Sequence, residues 1–273
     1  LRKREDGFHD IDTVFVPCRE ICDTLEVITG DDYSRTSASL FARYGEDVAQ
    51  GISEDGKLMI TIAREGGIDW NPLSDLCAKA YFLLAEDFDL PPVKIFLEKK
   101  APVGAGLGGG SSDAAFTLCC LSDLAGLGLS EDRLASYAER LGSDCAFFIY
   151  NRPMRGTGRG EILEDIDLNL EGYDLKIIVP EGISVSTKEA YGGIVPRENP
   201  AFRLPADVED IPLEEALKHP VKDWKHLVCN DFEATVFNSH PQLAALKQSL
   251  YESGALYASM SGSGSALFAI YGR

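Results

Sequence analysis

Between Ala101 and Ala115 the chain reads APVGAGLGGGSSDAA, with Gly104, Gly106, Gly108, Gly109 and Gly110 inside seven positions and Ser111, Ser112 and Asp113 directly after. Glycine loses the most backbone freedom on folding, so this density predicts unusual φ/ψ or a close ligand approach. Upstream, Val93, Ile95 and Leu97 alternate as in a strand with one buried face. Downstream, Asp113–Leu124 reads as a helix, with Ser111, Ser112 and Asp113 as N-cap candidates. A strand, a glycine loop and a helix N-terminus form an anion cradle, because free N–H groups and the positive end of the helix dipole converge there. The stretch reads as a phosphate-binding loop. A flexible linker is the plain alternative, but linkers rarely sit between a strand and a capped helix.

The kind of loop narrows the function. No Lys-Ser or Lys-Thr follows the glycines, which excludes a Walker A loop. Gly104, Gly106 and Gly109 satisfy G-x-G-x-x-G, a weak match in any glycine-dense loop, and Pro102 with the Ser pair puts the helix start later than a dinucleotide turn would. No V-A-I-K, H-R-D or D-F-G follows, as a protein kinase would require. P-x-G-x-G-L-G-G-G-S-S-D-A-A instead closely resembles the nucleotide loop of the GHMP kinases, which phosphorylate small molecules such as galactose, homoserine, mevalonate and phosphomevalonate. The resemblance implies ATP with Mg²⁺, held by Pro102, Val103, Gly104, Ala105, Gly106, Leu107, Gly108, Gly109, Gly110, Ser111 and Ser112. It leaves the metal ligands unassigned.

Composition fits a globular enzyme. A chain of 273 residues can bury one large or two ordinary cores. A formal charge of −18 excludes the basic footprint of a nucleic-acid binder, while a few local donors suffice for a nucleotide. No apolar run reaches membrane-span length and no signal peptide is visible. Seven cysteines, none in a C-x-x-C pair and none clustered with histidine, read as free thiols in a reducing, cytoplasmic compartment rather than as a zinc site. Adjacent Cys119 and Cys120 read as core thiols.

Taken in order, the opening LRKREDGFH shows no strand of its own. RKREDGFHDI resembles the K-R-x-D-G-Y-H motif of one GHMP branch, whose substrate carries a cytosine. There the aromatic stacks on the base and the histidine hydrogen-bonds it, roles that fall on Phe8 and His9; an aromatic turn residue packing on its own domain is the alternative for Phe8. Members of that branch begin with a strand carrying A-K-I-N-L, whose lysine lies beside the catalytic aspartate. The natural chain is therefore expected to extend upstream by roughly ten to fifteen residues, about one strand with its flanks, with such a lysine. Strand-like runs follow at Thr13–Val16, Thr24–Ile28 and Lys57–Ala63, and the acidic, aperiodic span from Gly30 to Gly56 reads as a surface excursion or short hairpin. Asn71-Pro72 opens a helix with Leu73, Leu76, Cys77, Ala80 and Leu84 on its buried stripe. The resemblance places Asn71 near the adenine of ATP, although a cap role alone would account for it.

Ser130 caps a further helix carrying Leu134, Tyr137, Ala138 and Leu141, which Gly142 ends. In the next segment, GSDCAFF, Asp144 precedes an apolar run. An aspartate past a helix end is commonly a cap; the segment also resembles the family's G-A-D-V-P-F-F, whose aspartate is the catalytic base, with Cys145-Ala146 replacing Val-Pro. NRPMRGTGRG, 151 to 160, reads as the domain boundary. Its Gly158–Glu161 resembles the family's A-x-G-x-G-E and reads best as a turn between strands. Leu175–Val179 reads as a strand, Asn230–Glu233 starts a helix, and Pro241 opens another bearing Leu243, Leu246 and Leu250. ISVSTKEAY resembles the segment that supplies a second aromatic to the cytosine, which maps onto Tyr191. Met260-Ser261-Gly262-Ser263-Gly264-Ser265 resembles the third family motif, M-S/T-G-S/T-G, which lies against the first loop and the phosphates.

The resemblance runs from Arg2 to Tyr271 and implies an α+β fold of two domains. Residues 1–151 would form the half similar to ribosomal protein S5 domain 2, and 152–273 the ferredoxin-like half. The implied partner is a small cytidyl substrate, phosphorylated on a hydroxyl that Asp144 deprotonates. Another GHMP kinase of mevalonate or homoserine type would keep the loops without the cytosine-binding aromatics. A non-catalytic nucleotide binder would not need Asp144.

Overall fold

The structure, a computed structural model, describes residues 2–30, 32, 35–196 and 204–273. Leu1, first residue of the basic opening, and residues 31, 33 and 34 of the 30–56 span lie outside the described residues. Contacts divide the chain into two units, one of Phe15–Val103 and Gly108–Met154, the other of Leu1–Val14, Gly104–Leu107 and Arg155–Arg273.

The chain opens with β1 (Arg2–Lys3) antiparallel to β2 (His9–Phe15), Lys3 opposite His9. The opening thus has a short strand where none was expected, because the Arg4–Phe8 turn folds it back: Arg4 N–H donates to Phe8 O at 2.8 Å and Gly7 takes φ +88°. β3 (Thr24–Thr29), α1 (Thr36–Tyr44), β4 (Val48–Ile52) and β5 (Leu58–Arg64) follow. The 30–56 span thus holds a helix that was not expected and an edge strand, β4, that pairs antiparallel with β5 as the short-hairpin alternative had it. Of α1 only Leu40 is fully buried, against Ala63 and Phe96, with Tyr44 one turn on packed partly beside it and Phe41 exposed.

A 3₁₀ turn over Pro72–Ser74 precedes α2 (Leu76–Ala85). Asn71 caps the turn and Asp75 the helix, each accepting a backbone N–H at 2.9 Å, from Leu73 and Cys77. The helix expected to open at Asn71 thus starts after Asp75, whose extended backbone (φ −63°, ψ 151°) separates the two turns. β6 (Val93–Lys99) pairs parallel with β5 and antiparallel with β3, giving the sheet order β3-β6-β5-β4. Both faces of β6 are covered, since Phe96 is buried on the α1 side as well as Ile95 and Leu97 on the other; one buried face was expected. α3 (Gly109–Leu124), α4 (Glu131–Leu141) and α5 (Cys145–Tyr150) complete this unit. α4 follows its sequence signals, with Ser130 accepting from Arg133 N–H at 3.3 Å and Gly142 at its end. All seven cysteines are free thiols, and Cys119 and Cys120 are half-buried rather than core residues.

The other unit takes up β7 (Met154–Gly158) and β8 (Ile162–Asp165), which extend the first hairpin to the order β1-β2-β7-β8. Gly158–Glu161 spans the turn between them. Next come β9 (Tyr173–Ile178), α6 (Thr187–Gly193), α7 (Leu213–Leu217), α8 (Glu233–Ser239), α9 (Pro241–Glu252), β10 (Tyr257–Met260) and β11 (Leu267–Gly272). The last strands form the antiparallel sheet β10-β11-β9. Phe232, Val236, Leu243, Leu250, Met260 and Leu267 make its buried helix–sheet core. Among the described residues no helix is long and apolar enough to cross a membrane.

Candidate active site

α3 starts at Gly109, with Gly108 as a left-handed N-cap (φ 68°, ψ 20°) and no side chain capping it. Ser111, Ser112 and Asp113, expected as caps, lie inside the helix instead. Position 108 requires glycine twice over: its φ is positive, and a Cβ would stand 2.8 Å from Phe148 Cζ. Ser112 N–H makes the first helical bond, to Gly108 O at 2.9 Å. The N–H groups of Gly109, Gly110 and Ser111 therefore have no partner within the helix and present a partial positive charge. Ser111 Oγ donates to Asp144 Oδ1 at 2.8 Å. Asp144 occupies the N-cap position of α5 but makes no cap bond there. A half-buried carboxylate is thus held at a donor-rich helix start, by a hydroxyl of that same start.

Behind this start lies a buried ion triad that sequence reading missed. Lys99 Nζ donates to Asp113 Oδ2 at 2.6 Å and also to Asp23 Oδ2, and all three side chains are almost fully buried. Asp23 uses its other oxygen to accept the N–H groups of Lys100 and Ala101 at 2.6 and 2.7 Å, where the glycine loop begins. Burial pushes the Asp113 carboxyl up to about 7; Lys99 pulls it down, and the Asp23 charge pushes it further up. Burial disfavours the Lys99 ammonium, but the two carboxylates outweigh this and hold its pKa above the usual lysine value. The available signal was Asp113 itself, a carboxylate directly before Ala114 and Ala115 on an apolar helix face.

Within the other unit, Gly104–Leu107 meets the turn between β10 and β11. Ser261 Oγ donates to Gly106 O at 2.8 Å, and Ala266 N–H to Ala105 O at 3.0 Å. Gly106 has φ +78°, and a Cβ there would lie 2.3 Å from Ser261 O. Gly106→Ala is therefore expected to destabilise the protein by about 2–4 kcal/mol, from left-handed strain and a backbone clash. Urea unfolding measures it, and a loss under about 0.5 kcal/mol would mean the contact is not made. The first and third glycine motifs, 155 residues apart, are thus brought together.

The same unit holds the aromatics. The His9 ring lies 5.1 Å from that of Tyr191, tilted by 43°, and Tyr191 packs edge-on to Phe232 at 4.8 Å. Phe8 is 54% exposed, with the Arg159 guanidinium 5.0 Å above its ring; the sequence did not single out that arginine. Asn71 is exposed, and its amide oxygen is engaged in the capping bond. Pro102 is half-buried and Val103 exposed. Among the described residues no group of three or more His, Cys, Asp or Glu side chains is placed to hold a metal ion.

In one unit an uncapped helix start with a carboxylate held at it, and in the other a glycine stretch met by a Ser-Gly turn, are each features expected of a small-molecule kinase. The GHMP kinases N terminal domain matches residues 75–152 and the GHMP kinases C terminal domain residues 213–273. The chain belongs to the GHMP kinase family. Within that family it is 41% identical over 269 residues to the 4-diphosphocytidyl-2-C-methyl-D-erythritol kinase of Bacteroides thetaiotaomicron, covering 98% of this chain and 86% of the relative. It is 39% identical over 272 residues to the enzyme of that name from Cytophaga hutchinsonii, covering 99% and 87%. A crystal structure of 4-(cytidine 5'-diphospho)-2C-methyl-D-erythritol kinase matches with a TM-score of 0.71 at 28% identity, covering 98% of this chain and 84% of the other. A homoserine kinase from Cytophaga hutchinsonii, at 18% identity and a TM-score of 0.62 over 97% and 85%, shares the fold.

Proposed function

We propose that the protein transfers the γ-phosphoryl group of ATP to the 2-hydroxyl of 4-diphosphocytidyl-2-C-methyl-D-erythritol, giving the 2-phosphate for non-mevalonate isoprenoid synthesis in the cytoplasm. The observation that carries this reading is the Asp144 carboxylate held by Ser111 at the open start of α3. Phosphoryl transfer asks a protein mainly for positioning and charge stabilisation. The backbone N–H groups of the loop up to Ser111 suit the phosphates, that of Ser112 being spent on Gly108 O, and Asp144 accepts the proton of the attacking hydroxyl. Magnesium bound through the nucleotide's phosphate oxygens and water would neutralise the phosphate charge, so a protein cage of carboxylates would not be needed. Phe8, His9 and Tyr191 receive the cytosine, and Asn71 faces the adenine. Arg159 must leave the Phe8 face before a base can stack there.

The test is a turnover panel with ATP and, in turn, the cytidyl substrate, mevalonate, homoserine and galactose. Turnover confined to the cytidyl compound is the expected result; preference for another acceptor would move the protein to a different branch of the family. Phe8→Ala and Tyr191→Ala are each expected to weaken cytidyl-substrate binding by about 1–3 kcal/mol, the range for base–aromatic stacking. ATP affinity should barely change. Equal losses for both ligands by calorimetry would remove the cytosine role from these rings.

A further inference from the structure

The turn from Ser261 to Ala266 is built of serine and glycine before its last residue, so it has no bulky side chain with which to fix its own shape. Two backbone bonds close it, Gly264 N–H to Ser261 O at 2.9 Å and Ser261 N–H to Ala266 O at 2.8 Å, and the rest of its hold comes from outside. The half-buried Asn230 donates through Nδ2 to Met260 O at 2.9 Å and to Gly262 O at 2.8 Å. Its Oδ1 accepts Phe232 N–H at 2.9 Å, just before α8. This pattern fixes the orientation of the amide, because a flipped Asn230 would turn its oxygen onto two carbonyls and its NH₂ onto an N–H. Glu233 holds the other side of the same residue, accepting Met260 N–H at 2.8 Å and Ser259 Oγ at 3.1 Å, with Lys247 Nζ on its second oxygen at 2.6 Å. Met260 is therefore gripped at both its N–H and its C=O, and the turn beyond it delivers Ser261 to Gly106.

We propose that Asn230 is a positioning residue for nucleotide binding: it shapes the Met260–Ala266 turn that sets the backbone of Gly106. The inference rests on the kinase reading above. Asn230 contacts the turn and not the glycine loop, so its effect on the nucleotide passes through Ser261 and Gly106. Two roles of the side chain can be separated. Serine and aspartate both keep an oxygen able to accept Phe232 N–H, and both lose the amide that bonds the two carbonyls. Aspartate in addition sets a carboxylate against those carbonyls.

The test is calorimetric titration of the full chain with a magnesium-bound, non-hydrolysable ATP analogue, alongside melting temperature and steady-state turnover. Asn230→Ser is expected to raise the nucleotide Kd by about tenfold, as loss of two hydrogen bonds predicts, and Asn230→Asp by more. Turnover at saturating nucleotide should stay within about twofold for Asn230→Ser, an effect confined to binding. Ser261→Ala, which removes the contact to Gly106 without touching Asn230, should raise the nucleotide Kd by a similar factor. Combined with Asn230→Ser, it should cost less than the sum of the two, because both act through one contact. Unchanged Kd in Asn230→Ser, or strict additivity in the double variant, overturns the proposal. If Asn230→Asp fails to fold, Asn230→Ser and Ser261→Ala carry the test. A wild-type chain that binds no nucleotide overturns the kinase reading, and this inference with it; a wild type that binds beside an unaffected Asn230→Ser overturns this inference alone.

Discussion

Asp144→Asn is expected to lower kcat by on the order of 10²–10⁴, the usual contribution of a positioned general base, while the fold and nucleotide affinity stay close to wild type. The amide is isosteric with the carboxylate, and its oxygen can still accept the Ser111 hydroxyl that now bonds Oδ1 at 2.8 Å. No helix cap is lost, because the Asp144 side chain makes no cap bond to α5. The expected change is therefore chemical rather than structural: a group that can take a proton becomes one that cannot. Turnover, melting temperature and nucleotide titration on one preparation separate these terms. If the variant keeps more than about a third of wild-type kcat, Asp144 is a local structural residue and the proton goes elsewhere.

The second large effect is expected at Lys99. Lys99→Met leaves Asp23 and Asp113 buried without their cation, a defect that costs about 3–5 kcal/mol when one partner of a buried pair is removed. Asp23 also holds the N–H groups of Lys100 and Ala101, so its displacement loosens the entry to the glycine loop as well as the core. The loss should depend on pH. The folded Asp113 carboxyl, pushed up to about 7, binds its proton more tightly than in the unfolded chain. Its contribution to stability is complete below the unfolded value of about 4 and fades as pH rises through about 7. Removing the cation raises the penalty on the charged form further. The deficit of Lys99→Met should thus be smaller near about pH 5.5, where Asp113 can be neutral, than near about pH 8, with a slope of at most about 1.4 kcal/mol per pH unit for each such group. Urea unfolding of both proteins at the two pH values tests this. Equal deficits would mean that the carboxylates are not confined with Lys99.

What could be read from the sequence was what depends on near neighbours. Gly104, Gly106 and Gly108 all take positive φ, the conformation that a glycine run advertises. Ser130 and Gly142 bracket α4 because capping is decided within one turn. In the 30–56 span the helix α1 was missed because only Leu40 is fully buried, with Tyr44 partly packed beside it, while the pairing of β4 with β5 fits the short-hairpin alternative. Asp113 was misread for the opposite reason. Next to two serines it resembles a cap, and only Lys99 and Asp23, brought in by β6 and the segment before β3, show that it is a buried ion. Asp144 was singled out through its motif, but its hydroxyl partner lies 33 residues away and could not be paired with it from sequence. The grouping of His9 with Tyr191, far apart in the chain, was implied by the family resemblance and by no local pattern.

The bare start of α3 has a consequence for how binding and folding are linked. Most helices finish their first turn with a side chain of their own; this one leaves it open behind a left-handed glycine. An anionic ligand seated there would act as the missing cap, so part of its binding energy would go into ordering the helix that receives it. The empty protein is accordingly less stable than its sequence could have made it. A residue that closed the turn permanently would strengthen the apo fold and compete with the ligand for the same N–H groups. Stability and affinity are therefore opposed at this one turn, and a screen for thermostable variants would select against nucleotide binding there.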